Sequence, residues 1–107
     1  MINNESKKYD QYGMQEALKQ ARKGAIMQEV PIGAVLIDSQ GKVIARGYNK
    51  VEGKKTQLAH AELQVIAKAT KKVADWRLET MTLYVTLQPC IMCMGAIILS
   101  QIGRAHV

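Results

Sequence analysis

The sequence predicts an α/β domain, a sheet covered by helices on both faces in three α/β/α layers. Three observations predict it. Helical and β-rich segments follow one another in the order helix, hairpin, helix, strand, helix. The apolar fraction, 48%, is that of a chain with a buried core. The length, 107 residues, suits one small domain covering 1–107.

Residues 11–28 read as an amphipathic helix, with Met14, Ala17, Leu18, Ala21 and Ala25 on one face and Asp10 as its cap. Residues 32–37 follow Pro31 as an apolar strand. Asp38-Ser39-Gln40-Gly41 is turn chemistry, and 42–48 returns as a second strand, completing a hairpin. Residues 49–58 read as a polar loop. A helix over 59–74 is expected to bury Leu63, Ile66, Ala67 and Thr70. Residues 82–87 form a short β-rich strand. Pro89 stands where a helix begins, and that helix runs to about Gln101, apolar almost all round, so it is buried or shared with a partner. Gly103 ends it, and 104–107 begin another strand.

The chain holds no repeats and no low-complexity tract. Met1 to Gly13 is too polar for a signal peptide. The longest apolar run, Cys90 to Leu99, is too short to span a bilayer. The expectation is therefore a cytoplasmic protein with no membrane partner. The net charge is +6, and its excess is local. Lys42, Arg46, Lys50, Lys54, Lys55, Lys68, Lys71 and Lys72 face only Glu52 and Glu62 in the same stretch. Such a stripe suits a polyanion such as RNA, although a charge run by itself also describes an ordinary solvated face.

Chemistry concentrates in two short motifs, His60-Ala61-Glu62 and Pro89-Cys90-Ile91-Met92-Cys93. Two cysteines three apart are no disulfide framework; that spacing reads as metal or redox chemistry. One imidazole and two thiolates are zinc ligands that leave a fourth position open, and H-x-E with P-C-x-x-C is the signature of zinc-dependent deaminases. In mid-helix, His60 and Glu62 would point about 200° apart, so they converge only in a first turn. Cys90 and Cys93 share one face at the start of the other helix, where free N–H groups favour thiolate. Two thiolates and a neutral imidazole leave Zn²⁺ without net charge, so it acidifies water weakly and a general base is useful. Glu62 is that base: it takes a proton from water and passes protons to the ring nitrogen and the departing ammonia. Taken singly, His60 and Glu62 would be structural or surface residues. The cysteines could equally be small core residues, half of a structural zinc site, or a redox pair. A strand leading into C-x-x-C is also the thioredoxin-like layout, but that reading leaves His60-Ala61-Glu62 unexplained and meets Pro89 where a large aromatic is usual.

From Met14 to Arg104 the chain resembles the bacterial tRNA-specific adenosine deaminases of the cytidine-deaminase-like superfamily. The resemblance rests on Glu29-Val30-Pro31-Ile32-Gly33-Ala34-Val35, Gly47-Tyr48-Asn49, Ala59-His60-Ala61-Glu62, Leu83-Tyr84-Val85-Thr86-Leu87, Pro89 to Cys93 and Ile102-Gly103-Arg104. It implies the cytidine-deaminase-like fold, with one Zn²⁺ per chain on His60, Cys90 and Cys93 and Glu62 as the catalytic proton shuttle. Asn49 and the Ala61 backbone would hold the base, and Val30 and Leu87 would line the pocket. The implied reaction converts adenosine to inosine at the wobble position of a tRNA anticodon loop, on a nucleotide flipped into the pocket of a homodimer. The apolar 90–101 helix suits the dimer contact, or else the core. Gln88 stands where the family usually has Glu, and 50–58 lacks its Asp-Pro-Thr. The family's chain continues with further strand, a substrate-contacting loop and a C-terminal helix, so the expectation here is a domain lacking those elements, with His106 at a buried-strand position. Two further readings stand beside this one. The first is a free-base or nucleoside deaminase acting on guanine or cytosine. The second is an inactive, truncated zinc-binding fragment. Riboflavin-pathway deaminases fit less well, because their cysteines are spaced more widely.

Overall fold

In a computed structural model describing residues 7–107, four strands and four helices form one mixed α/β sandwich. Residues 1–6 of the polar N-terminal stretch lie outside the described residues. The order is α1 (Asp10–Ile26), β1 (Gly33–Ile37), β2 (Val43–Tyr48), α2 (Val51–Lys54), a 3₁₀ turn (Gln57–Ala59), α3 (Ala61–Val73), β3 (Thr82–Val85), α4 (Ile91–Leu99) and β4 (Arg104–His106). The sheet runs β2-β1-β3-β4. β1 is antiparallel to β2 and β3, with Ala34 opposite Gly47 and Val85, while β4 lies parallel to β3.

Alternation along β1 distributes the core. Val35 and Ile37, with Tyr84, pack under Ala17 of α1. Ala34 and Leu36 face the other way, with Leu83 and Val85, onto Ala61, Val65 and Ala69 of α3 and Ile97 of α4. β1 is buried on both faces because both layers meet on it.

The buried face of α1 differs from the expected one. Gly13, Ala17, Ala21 and Gly24 face the sheet, together with Glu16 and Gln20, while Leu18 and Ala25 are exposed. Small residues make this contact because the backbones nearly touch: a Cβ at Gly33 would meet the Ala17 carbonyl and come within 2.5 Å of the Ala21 nitrogen. The α3 face is likewise turned. Ala61, Glu62, Val65 and Ala69 are buried, Leu63, Ile66 and Thr70 are partly so, and Ala67 is exposed. The 49–58 segment, expected to be a loop, contains α2 and the 3₁₀ turn. Glu29 organises it by accepting the N–H groups of Glu52 (3.0 Å) and Gly53 (2.8 Å). Pro89 lies outside α4; it is buried just before Cys90, which is the N-cap. Only Cys93 and Ile97 of α4 are buried, and Ile91, Met92, Met94, Ile98 and Leu99 are exposed, so the helix is not a core helix among the described residues.

Asp10 does not cap α1. Tyr9 holds that position, and the Asp10 carboxylate instead joins three elements. It accepts Arg104 Nη1 at 2.6 Å and Nη2 at 2.8 Å, and Tyr84 Oη donates to it at 2.8 Å. The Arg104 hydrogen bonds, reinforced by Tyr84, hold its pKa down at about 2, below the usual 3.8. A depressed carboxylate stabilises the fold fully above the unfolded value and loses that contribution as pH falls through the folded value. Asp10→Asn is therefore expected to cost on the order of 2 kcal/mol at neutral pH. The gap from the unchanged chain should narrow from about pH 4 down to about pH 2. Urea midpoints measured across that range check it; a gap independent of pH would remove the ion pair as its cause.

Candidate active site

The two chemical motifs sit at the N-termini of α3 and α4, and the sheet brings those ends together. His60 is the N-cap of α3, with extended backbone (φ −64°, ψ 146°), so its ring leaves the helix before the helical phase begins. Cys90 caps α4 in the same way (φ −72°, ψ 175°), and Cys93 follows one turn later on the same side. His60 Nδ1 lies 3.7 Å from Cys90 Sγ and 3.4 Å from Cys93 Sγ. All three ligand atoms fall within 4.8 Å of one another. Zn–N and Zn–S bonds of ordinary length, set at the tetrahedral angle, would place nitrogen and sulfur about 3.6 Å apart. The donor set therefore fits a zinc ion in chemistry and in spacing. Both thiols are free.

The two sulfurs have different surroundings. Cys90 is exposed, and the Cys93 backbone N–H, then the Cys93 side chain and the Met92 N–H, lower its pKa against a smaller effect of burial. Cys93 is fully buried; burial first, then the Glu62 charge, then Cys90, push its thiol well above the usual range. A cation between the three donors is what such a thiol needs in order to ionise.

A cavity of about 110 Å³ opens beside these residues, lined by Ile32, Asn49, His60, Ala61, Glu62, Leu87, Gln88 and Cys90. Glu62 is buried in its wall. Asn49 is buried too; its Oδ1 accepts the Val51 N–H at 2.9 Å, which leaves the amide Nδ2 to donate. The Ala61 N–H belongs to the first turn of α3 and has no acceptor within the helix. A larger cavity of about 440 Å³, between Tyr9, Asp38, Glu79 and Arg104, has neither histidine nor cysteine in its lining.

The structure thus gathers Asn49, His60, Ala61, Glu62, Leu87, Cys90 and Cys93. Val30, expected in the pocket wall, is not there. It is 56% exposed and borders a separate depression with Met27, Glu29 and Gly53. Ile32, the residue just before β1, borders the cavity instead. Gln88, singled out only as a departure from the family pattern, also lines the cavity, and Gln57 adjoins the site without having been marked. Gln57 Oε1 sits 3.2 Å from His60 Nε2. Gln64 bridges the carbonyls of Tyr48 (2.6 Å) and Ala59 (2.8 Å), tying the end of β2 to the residue before His60. Isolated polar residues carry no periodic signal, so nothing local marked Gln57 or Gln64.

Residues 7–107 match the family described as the cytidine and deoxycytidylate deaminase zinc-binding region. The chain is 50% identical over 95 residues to a tRNA-specific adenosine deaminase of Bacillus subtilis, covering 89% of this chain and 58% of that protein. It is 48% identical over 102 residues to a chloroplastic tRNA(adenine(34)) deaminase of Arabidopsis thaliana, covering 95% of this chain and 8% of that one. It thus spans little more than half the Bacillus relative and a small part of the plant one. A solved structure from studies of A-to-I editing by tRNA:A34 deaminases superposes with a TM-score of 0.85 at 43% identity, covering 90% of this chain and 73% of that one. A guanine deaminase from Bacillus subtilis superposes with a TM-score of 0.82 at 31% identity, covering 97% and 62%. On the strength of the family match, which takes in both half-motifs and the whole described fold, this chain belongs to the family of the cytidine and deoxycytidylate deaminase zinc-binding region.

Proposed function

We propose that this chain carries the catalytic zinc site of a tRNA adenosine deaminase, converting adenosine to inosine in an anticodon loop. The observation that carries the reading is the gathering of the His60, Cys90 and Cys93 donor atoms within 4.8 Å of one another beside a cavity walled by Glu62 and Asn49. His60 Nδ1 and the two sulfurs hold one zinc per chain, and zinc bound there supplies Lewis acidity toward an attacking water. Glu62, buried in the α3 first turn, takes one proton from the attacking water and passes it to the ring nitrogen, then takes the second from the hydroxyl left on the attacked carbon and passes it to the leaving ammonia. Asn49 Nδ2 and the Ala61 N–H donate to the base, while Leu87 and Ile32 border it.

Two features favour a polynucleotide. The closer relatives among those compared are named for tRNA. Lysines also cluster: Lys68 has its pKa lowered by burial first, then by the charges of Lys50 and Lys54, and Lys50 follows Asn49 in the chain. Clustered cations attract phosphate. The exposed apolar residues of α4, from Ile91 to Leu99, support a homodimer through that helix. No helix among the described residues is long and apolar enough to cross a membrane, and tRNA as substrate supports the cytoplasm.

Zinc-loaded protein should form inosine in an anticodon stem-loop with adenosine at the wobble position and leave free guanine and cytosine unchanged. Turnover of a free base without inosine would move the substrate assignment. Zinc binding with no turnover of either would leave only the metal site.

A further inference from the structure

We propose that Gln57 is a positioning residue for the metal centre: its side-chain oxygen selects the His60 tautomer that exposes Nδ1 to zinc. The inference rests on the zinc reading of His60, Cys90 and Cys93.

The ring of His60 is used at both nitrogens. Nδ1 faces the two sulfurs, and Nε2 lies 3.2 Å from Gln57 Oε1. A neutral imidazole carries one proton. An amide oxygen is an acceptor only, so the contact places the proton on Nε2 and leaves the Nδ1 lone pair free for metal. The opposite tautomer would turn an N–H toward the thiolates and lose the Gln57 bond. Histidine ligands in general are oriented and made more basic by such an acceptor on the far nitrogen.

The surroundings hold Gln57 to this task. It opens the 3₁₀ turn that leads straight into His60. Thr56 accepts the Leu58 N–H at 3.2 Å, closing the turn from the front. From behind, the Ala59 carbonyl accepts the Lys50 N–H at 2.9 Å and Gln64 Nε2 at 2.8 Å. The turn is therefore tied to the end of β2 and to α3, and the side chain three residues before the histidine returns to its ring. Gln57 is exposed, so its substitution removes the bond without opening the core.

The test is zinc affinity by chelator competition, paired with nitrogen-detected imidazole NMR of the zinc-loaded protein. Gln57→Ala should weaken zinc roughly tenfold, the low end of the usual range for such partners, because water partly replaces an exposed acceptor. Gln57→Glu keeps an acceptor and should bind at least as tightly as the unchanged chain. Gln57→Lys offers only a donor and should bind as poorly as alanine. The unchanged protein should show the proton on Nε2, protected from solvent exchange, and the alanine variant should lose that protection. Equal affinity across all four proteins overturns the role of Gln57 while leaving the zinc site intact; a proton on Nδ1 of the zinc-loaded protein overturns both the role of Gln57 and the assignment of Nδ1 as the zinc ligand. Failure of the unchanged chain to bind zinc overturns both.

Discussion

Glu62→Gln is expected to lower deamination by about 10²- to 10⁴-fold, the range that a positioned proton-transfer group supplies. Zinc content should not change, because the three donors that fit the ion are His60, Cys90 and Cys93. Glutamine keeps the shape and the hydrogen-bonding capacity of Glu62 but cannot carry a proton between water and a ring nitrogen. Glu62 is only 4% exposed in the first turn of α3, so the change also replaces a buried acid with a neutral amide. The fold should be as stable as before or slightly more so. This combination separates chemistry from architecture: activity lost, metal kept, melting temperature held. Rates of inosine formation under single-turnover conditions, beside elemental analysis, measure it. A loss smaller than tenfold would place the proton transfer on another group.

Cys93→Ser is expected to cut zinc from one ion per chain to about a tenth of that or less, and activity with it. Cys93 is fully buried on the inner side of α4, so a water has less room to replace this ligand than at the exposed Cys90. A serine hydroxyl there is a poor zinc ligand. Cys90→Ser should be milder, because Cys90 is exposed and water can occupy its vacated position. The order of zinc retention should be unchanged protein, Cys90→Ser, Cys93→Ser. Equal loss in the two variants would mean that burial does not decide how the site tolerates a missing ligand.

The fold was legible where apolar residues alternate and turns are marked. Asp38 to Gly41 announced the hairpin, and the apolar run over 32–37 announced its first strand. The helix faces were misread for a physical reason. Periodicity weights large side chains, whereas α1 meets the sheet through Gly13, Ala17, Ala21 and Gly24. Asp10 looked like a cap because it precedes an amphipathic stretch. Its partners, Tyr84 and Arg104, lie 74 and 94 residues away, and no local pattern reports them. The metal-ligand candidates were legible because few residue types bind zinc and their spacing is tied to a helix's first turn. Their supports, Gln57, Gln64 and Glu29, were not, because ordinary polar residues acquire such roles only through three-dimensional contact.

The divided seating of the site has an evolutionary consequence. The donors stand on helix ends anchored to the sheet, whereas much of the cavity rim belongs to connecting segments: Ile32 before β1, Asn49 after β2, and Leu87 and Gln88 after β3. Replacing a rim segment would change which base is admitted without disturbing the packing that holds His60 against Cys90 and Cys93. New substrates can then arise by drift in short loops, while the core evolves under a separate constraint, that of keeping two helix ends a few ångströms apart.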